Sequence, residues 1–299
     1  MTPNVKGALL MVGTTASFTI SDTCLKATHG MMPLLQVLTL RGVVSSLLLC
    51  LLAWRLGALQ FRVGRRDGGL LALRCLAEVA AAFFFLSALM NMPLANVSAL
   101  VQVVPLTVTL GAALFFGEYI GWRRLVAIGL GFCGMLLIVR PGPEGFTPHA
   151  AYALASVVCV TVRDLVTRRM SSRMPSMTVT FAAAFSVFVA AGIASFWSEW
   201  VPVETRSLGL IAGSAVFVML GYLLGVMVMR VGEISFVSPF RYTGLLWALI
   251  LGWLVFGHWP APLTLLGAAI IAGAGLFTLY RSRQVAEAGP PMPENIRRT

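Results

Sequence analysis

Long apolar runs dominate the chain, and short stretches rich in Gly, Pro and Arg separate them. A helix that crosses the ~30 Å hydrocarbon core of a bilayer needs roughly 20 apolar residues, because it rises only about 1.5 Å per residue. Ten runs are long enough, and they fall near 6–27, 33–54, 69–90, 94–116, 122–139, 148–166, 176–198, 208–229, 234–256 and 261–280. The pattern predicts an all-α integral membrane protein with ten transmembrane helices.

The composition agrees with a membrane protein. Of the 299 residues, 58% are hydrophobic and 11% are charged, whereas soluble domains carry about 25% charged residues. The net charge of +11 is also found in nucleic-acid-binding proteins. In so apolar a chain, however, surplus arginine more often anchors cytoplasmic loops. We therefore expect the lipid bilayer, and no nucleic acid, among the partners.

The distribution of Lys and Arg predicts the orientation of the helices. With the N-terminus in the cytoplasm, 15 of these residues lie in cytoplasmic segments, and only Arg140 and Arg206 lie in outer loops. Cytoplasmic loops of membrane proteins carry such an excess. We expect a multi-pass protein of the cell inner membrane with both termini in the cytoplasm. Residues 284–299, which are rich in proline, are expected to form a disordered cytoplasmic tail.

The two halves of the chain share polar and small residues at a constant spacing. Because each half contains five spans, an odd number, the second half enters the membrane from the opposite side. The sequence therefore predicts two inverted five-helix repeats, residues 1–142 and 143–283, as in secondary transporters. The matching residues are Asp22, Lys26 and Pro33 with Asp164, Arg168 and Pro175 at 142 positions, and Ser98, Phe116 and Gly117 with Ser238, Phe256 and Gly257 at 140.

Several short motifs resemble a known family. The chain is similar to the drug/metabolite transporter superfamily, EamA type, up to about residue 283. The resemblance implies ten helices in two inverted repeats around a central cavity. One departure is His258, where the second-half motif commonly has Glu after Phe-Gly. The motifs are Pro105-Leu106-Thr107, Phe116-Gly117-Glu118, Arg140-Pro141-Gly142, Arg163-Asp164, Ser238-Pro239-Phe240-Arg241-Tyr242 and Phe256-Gly257.

The resemblance also sets the expected function. It implies a secondary transporter of a small organic metabolite that works by alternating access. The segment Pro239-Phe240-Arg241-Tyr242 is similar to branches that take up riboflavin or S-adenosylmethionine, and riboflavin uptake is our leading prediction. An exporter of amino acids or related metabolites is the alternative. Less favoured alternatives are S-adenosylmethionine uptake, a channel and an intramembrane enzyme. The sequence holds neither HExxH nor GxSxG, so we expect no enzyme and no catalytic residues.

Ionisable residues inside the spans are the first candidates for substrate contact. A charge at the centre of a bilayer costs roughly 2.5–3.5 kcal/mol, so it faces a partner or a wet cavity. Arg241, Arg41 and Glu78 lie well inside their spans. Asp22 is a candidate for proton coupling. The alternatives are a structural Arg74–Glu78 pair one turn apart and, for Lys26, an anchor that reaches the membrane interface.

Aromatic and amide side chains form a second group of candidates. Tyr242, Trp247 and Tyr222 offer flat rings with a hydrogen-bond donor, which suits a planar solute. Gln36 and Gln102 offer amides that read polar edges. Each of these side chains could equally serve packing or a hydrogen bond between helices.

Other patterns carry no separate function. Five cysteines and three histidines are scattered singly, so we expect no metal and no cofactor. Gly129, Gly131 and Gly134 match GxGxxG, yet they lie inside an apolar span without the strand that a nucleotide site requires. We attribute them, with Gly267, Gly273 and Gly275, to close helix packing. The small-molecule substrate is the expected partner, and a homodimer is compatible with the sequence.

Overall fold

The computed structural model describes residues 2–55, 64–139, 147–171, 174–231 and 234–287. Every regular element within these ranges is a helix. Ten helical segments within these ranges are long and apolar enough to cross a membrane, as predicted. The elements are α1 (Pro3–Lys26), α2 (Leu34–Arg55), α3 (Arg65–Asn91), α4 (Leu94–Val101), α5 (Val104–Phe116), α6 (Trp122–Val139), α7 (Pro148–Arg169), α8 (Ser176–Ser195), α9 (Thr205–Val231), α10 (Ile234–Val237), a 3₁₀ helix (Ser238–Tyr242), α11 (Thr243–Phe256) and α12 (Pro262–Glu287).

The helix bounds repeat at the spacings that the sequence predicts. Helix α8 starts 142 positions after the start of α2. Helix α9 starts and ends 140 positions after the two ends of α3, and α12 starts 140 positions after α6. The two halves therefore fold into the same series of helices.

The helices of the two halves pack in a reciprocal way. Helix α1 packs against α9, and α7 packs against α3, so the first helix of each half contacts the third helix of the other. Helix α2 pairs with its counterpart α8, and α6 pairs with its counterpart α12. This exchange defines a pseudo-twofold axis between α2 and α8.

The fourth and ninth spans are interrupted at equivalent places, which the hydrophobic pattern does not predict. Helix α4 ends at Val101, and α5 restarts at Val104 with Pro105 in its first turn. In the second half, the 3₁₀ helix with Pro239 precedes α11. Proline lacks the amide donor that continues a helix, which accounts for an interruption of the hydrogen-bond pattern in both spans. The breaks meet, because Gln102 Nε2 donates to the carbonyl oxygen of Arg241 at 3.3 Å.

The bundle is tightly packed at the end opposite the chain termini, which we call the distal end. Apolar side chains from both halves meet there, and they are at most 1% exposed: Leu25, Val37, Leu89, Leu94 and Ile211. Side chains that are buried together in a close-packed interior leave few voids larger than a water molecule. The structure is therefore closed at the distal end.

The C-terminal end departs slightly from the expected boundary. Helix α12 continues to Glu287, four residues beyond the predicted end of the second repeat. The predicted disordered tail otherwise falls on residues 288–299, which lie outside the described residues, as does Arg140 of the outer loop.

Candidate substrate cavity

A cavity of about 100 Å³ lies between α2, α3, α8 and α9. Three of the candidates from the sequence line it: Arg41, Glu78 and Tyr222. They come from three different helices. Arg41 is eight residues into α2 and Glu78 is fourteen residues into α3, so both stand well inside the bundle.

The cavity lies on the pseudo-twofold axis, because its lining consists largely of equivalent residues from the two halves. Five such pairs are present, three at a spacing of 142 and two at 140. The pairs are Arg41 with Ala183, Gly42 with Ala184, Ser45 with Val187, Glu78 with Val218, and Ala82 with Tyr222.

The two walls of the cavity differ in chemistry. The first half supplies Arg41, Ser45 and Glu78, whereas the second half has Ala183, Val187 and Val218 at the same places. Tyr222 is the polar exception on the second wall. Leu38, Leu49 and Ala82 of the first half also line the cavity, so a solute meets charged and apolar groups on the first wall and mainly apolar groups on the second.

Two polar groups of the first wall have no protein partner within the described ranges. Arg41 has neither an ion pair nor a hydrogen bond among those residues, although Asp22 of α1 lies within electrostatic range of it. The hydroxyl of Ser45 is buried and makes no hydrogen bond to any described residue. An unpaired buried hydroxyl is costly, and so is an unpaired charge inside a membrane span, so both groups are suited to a ligand.

Glu78, in contrast, is held by two arginines. Arg163 Nη1 lies 3.4 Å from Glu78 Oε1, and Arg74 Nη1 lies 3.7 Å from Oε2. Arg163 also contacts Asp164 Oδ1 at 2.9 Å, and Arg74 Nε donates to the hydroxyl of Thr167 at 3.1 Å. Glu78 therefore forms the predicted structural pair with Arg74 and also lines the cavity, and its contact with a substrate stays a prediction.

The importance of Arg163 is missed by sequence reasoning. Its guanidinium joins α7 of the second half to Glu78 on α3 of the first. The two residues are 85 positions apart, so no local spacing connects them. The only available signal is the Arg163-Asp164 pair inside an apolar span.

Tyr222 closes one side of the cavity with an aromatic contact. Its ring meets Phe18 edge-on, with 5.3 Å between the ring centroids. Glu78 and Arg163 both interact electrostatically with its hydroxyl. A phenol in this position offers a solute a flat face and a hydrogen bond.

The structure separates Arg241 and its neighbours from this cavity. The Arg241 side chain is exposed and does not line it. Tyr242 points toward α12, where a Cβ atom added to Gly275 would overlap its hydroxyl oxygen. Trp247 has a buried indole nitrogen without a hydrogen-bond acceptor in the described part of the chain.

The two glutamines make backbone contacts. Gln102 binds the carbonyl of Arg241, as described above. Gln36 is fully buried near the distal end. Its amide donates to the carbonyl oxygen of Val201 at 2.8 Å and accepts from the amide of Val201 at 3.1 Å. Gln36 thus fixes the segment between α8 and α9.

Lys26 is buried instead of reaching the interface. Its Nζ donates to the carbonyl oxygens of Leu89 and Met92 at 2.8 and 2.7 Å, and it lies 5.5 Å from the ring centroid of Phe256. The last carbonyls of a helix lack intrahelical partners and attract cations. Lys26 therefore connects the ends of α1, α3 and α11 at the distal end.

The glycines of the GxGxxG match are only partly used for packing. A Cβ atom added to Gly134 would stand 2.7 Å from the carbonyl oxygen of Gly267, and the reverse distance is 2.5 Å. Gly131 and Gly275 are also close to neighbouring side chains. Gly129 and Gly273, however, have open space around them, so the packing interpretation is wrong for these two.

Comparison with known proteins agrees with this architecture. The sequence pattern of the EamA-like transporter family matches residues 5–140 and again residues 148–280. The chain belongs to the EamA-like transporter family. The two matches coincide with the two halves that the helix packing reveals.

Three named relatives are transporters of different solutes. The pseudopaline exporter CntI of Pseudomonas aeruginosa (strain UCBPP-PA14) is 26% identical over 274 residues, which are 90% of this chain and 94% of that protein. The S-adenosylmethionine uptake transporter of Rickettsia bellii is 27% identical over 60% of this chain and 62% of its own length. The riboflavin transporter of Rhizobium johnstonii is 29% identical over 65% of each chain.

A solved crystal structure shares the fold. It superposes with a TM-score of 0.62 at 19% identity, and the match covers 92% of this chain and 98% of the other. The family match and the ten apolar helices of the described residues together indicate a multi-pass membrane protein related to transporters.

Proposed function

We propose that this protein is a secondary carrier that moves a small organic metabolite across the cell inner membrane by alternating access. The observation that carries the proposal is the cavity on the axis between the two equivalent halves, with Arg41, Ser45 and Glu78 in its lining. Two related halves can exchange shapes around such a site, so that it faces each side of the membrane in turn. Such a cycle needs one side to be closed at a time, and the packed distal end is a closed side in this structure.

The charged and aromatic groups of the cavity favour different candidate solutes. Riboflavin uptake is the leading expectation from the sequence, and the ring of Tyr222 suits a flat neutral molecule. The unpaired guanidinium of Arg41 favours a charged metabolite, as an exporter of amino acids or an S-adenosylmethionine carrier would bind. No catalytic role is needed to explain any of these groups, because each of them can act by binding alone.

Transport by the purified chain in liposomes tests the proposal. Labelled riboflavin, S-adenosylmethionine and leucine are offered to vesicles that contain the same unlabelled solute, so that exchange reports a carrier. We expect exchange of at least one solute, and a loss of at least tenfold in Glu78→Gln. Glu118→Gln is the matched control, because Glu118 is 54% exposed and pairs with Arg168 at the surface. Vesicles that exchange none of the solutes, or leak all of them equally, contradict the proposal.

A further inference from the structure

Arg41 brings an unmatched positive charge into the cavity. Among the described lining residues, Glu78 is the other charged one, and its carboxylate already contacts Arg163 and Arg74. Asp22 interacts with Arg41 electrostatically, but no described carboxylate lies within ion-pair distance of the guanidinium. A guanidinium that has no partner among the described residues is costly inside a membrane span, so a ligand that supplies a negative charge is favoured here.

The wall opposite Arg41 limits the size and polarity of the rest of the ligand. Across the axis from Arg41, Ser45 and Glu78 stand Ala183, Val187 and Val218, which offer no hydrogen-bonding side chain. The closeness of α2 and α8 fixes the width, since a Cβ atom added to Gly42 would lie 2.8 Å from Phe188 Cβ. The cavity of about 100 Å³ is also smaller than the roughly 300–1,000 Å³ of ordinary ligand sites.

We propose that the substrate is a small organic carboxylate whose carboxylate binds Arg41 and whose apolar part lies against Ala183, Val187 and Val218. Arg41 then selects for charge, and the three small side chains select for size. A single guanidinium matches a single carboxylate with two parallel hydrogen bonds. A phosphate, with up to two negative charges, would need a second free cation in the lining. This inference rests on the proposed function and specifies its substrate.

Binding to the purified full-length chain in detergent tests the charge requirement. Isocaproate, its neutral isostere isocaproamide, and L-leucine share one hydrocarbon skeleton, and binding is followed as a rise in melting temperature with concentration. We expect isocaproate and L-leucine to bind at least about tenfold more tightly than isocaproamide, because a charge-assisted hydrogen bond is lost in the amide. Equal binding of acid and amide overturns the proposal.

Variants of the two walls test the assigned residues. Arg41→Gln is expected to remove the preference for the acid, and Arg41→Lys is expected to keep part of it, because lysine retains the charge without the planar pair of donors. Arg55→Gln, at the exposed end of the same helix, is the control. Val187→Phe fills the cavity and is expected to abolish binding, whereas Val189→Phe, on the exposed side of α8, leaves it unchanged.

The outcomes separate this inference from the proposed function. If liposomes exchange riboflavin while neither isocaproate nor L-leucine binds, the carrier function stands and the carboxylate proposal is wrong. Acid binding that Arg41→Gln and Arg41→Lys both leave unaltered likewise overturns it. If no solute is exchanged and no acid is bound, both proposals fail.

Discussion

Arg163 Nη1 lies 3.4 Å from Glu78 Oε1 and thereby joins the first helix of the second half to the third helix of the first. The pair sits beside the cavity, inside the bundle, where the two halves must move against each other if the protein is a carrier. An ion pair in this place both orders the cavity wall and adds to the stability of the state seen here.

Loss of either partner is expected to destabilise the protein. Removing one member of a buried pair costs roughly 3–5 kcal/mol. The side chains are 24% and 18% exposed, so we expect about 2 kcal/mol, because solvent screens part of the interaction. Thermal unfolding of Glu78→Gln, Arg163→Gln and the double variant measures this. The double variant should lose less than the sum of the two single losses, and strict additivity would show that the two groups do not interact.

Lys26→Met is expected to lower the melting temperature clearly. The substitution keeps the apolar stem but removes the ammonium that binds the carbonyl oxygens of Leu89 and Met92. Hydrogen bonds to charged groups contribute roughly 1.5–3 kcal/mol each, so the end of α3 should loosen. Lys6→Met, at the exposed start of the same helix, should leave the melting temperature unchanged. A similar effect of both substitutions would contradict the structural role of Lys26.

Close packing of α6 on α12 predicts opposite effects of two glycine substitutions. In Gly134→Ala the new methyl group meets the backbone of Gly267 at 2.7 Å, which forces the helices apart and costs roughly 1–3 kcal/mol. In Gly129→Ala the methyl group meets open space, and the higher helix propensity of alanine should add up to about 1 kcal/mol. Melting curves of the two variants provide the comparison, and equal shifts would argue against this helix contact.

The architecture could be predicted from the sequence because the bilayer imposes a fixed span length on each helix. The spacings of 142 and 140 positions also foretold the helix bounds, as the matching starts of α2 with α8 and of α6 with α12 show. The breaks near Gln102 and Tyr242 could not be predicted in this way. Both segments stay apolar across the break, and proline is tolerated inside membrane helices.

The cavity was predicted only in part, because the decisive contacts join residues far apart in the chain. The sequence indicates Arg41, Glu78 and Tyr222 as separate candidates, and the structure places all three in the lining of one cavity. The burial of Lys26 was not predicted, because its partners are backbone carbonyls. Every residue has such a carbonyl, so the sequence does not indicate which of them accepts a hydrogen bond from Lys26. Gln36 likewise meets the backbone of Val201, 165 positions away.

Arg241 stays a candidate at the break of the ninth span. Its side chain is exposed and makes no ion pair with any described residue, so Arg241→Ala should fold normally. We predict that this variant abolishes transport, because the solute must pass the break on its way to the side of the chain termini. Exchange in liposomes and melting temperature measured together check it. Unchanged exchange by a folded variant would place Arg241 outside the pathway.

Accessibility of Ser45 from the two sides of the membrane tests the carrier mechanism without knowledge of the solute. Ser45→Cys changes one atom of a cavity-lining side chain, in a chain whose five native cysteines are replaced by alanine. A membrane-impermeant thiol reagent is added to spheroplasts or to inverted vesicles. We predict labelling from both sides, because alternating access exposes the cavity to each in turn. Labelling from one side alone, or from neither, would contradict a cavity that serves both faces of the membrane.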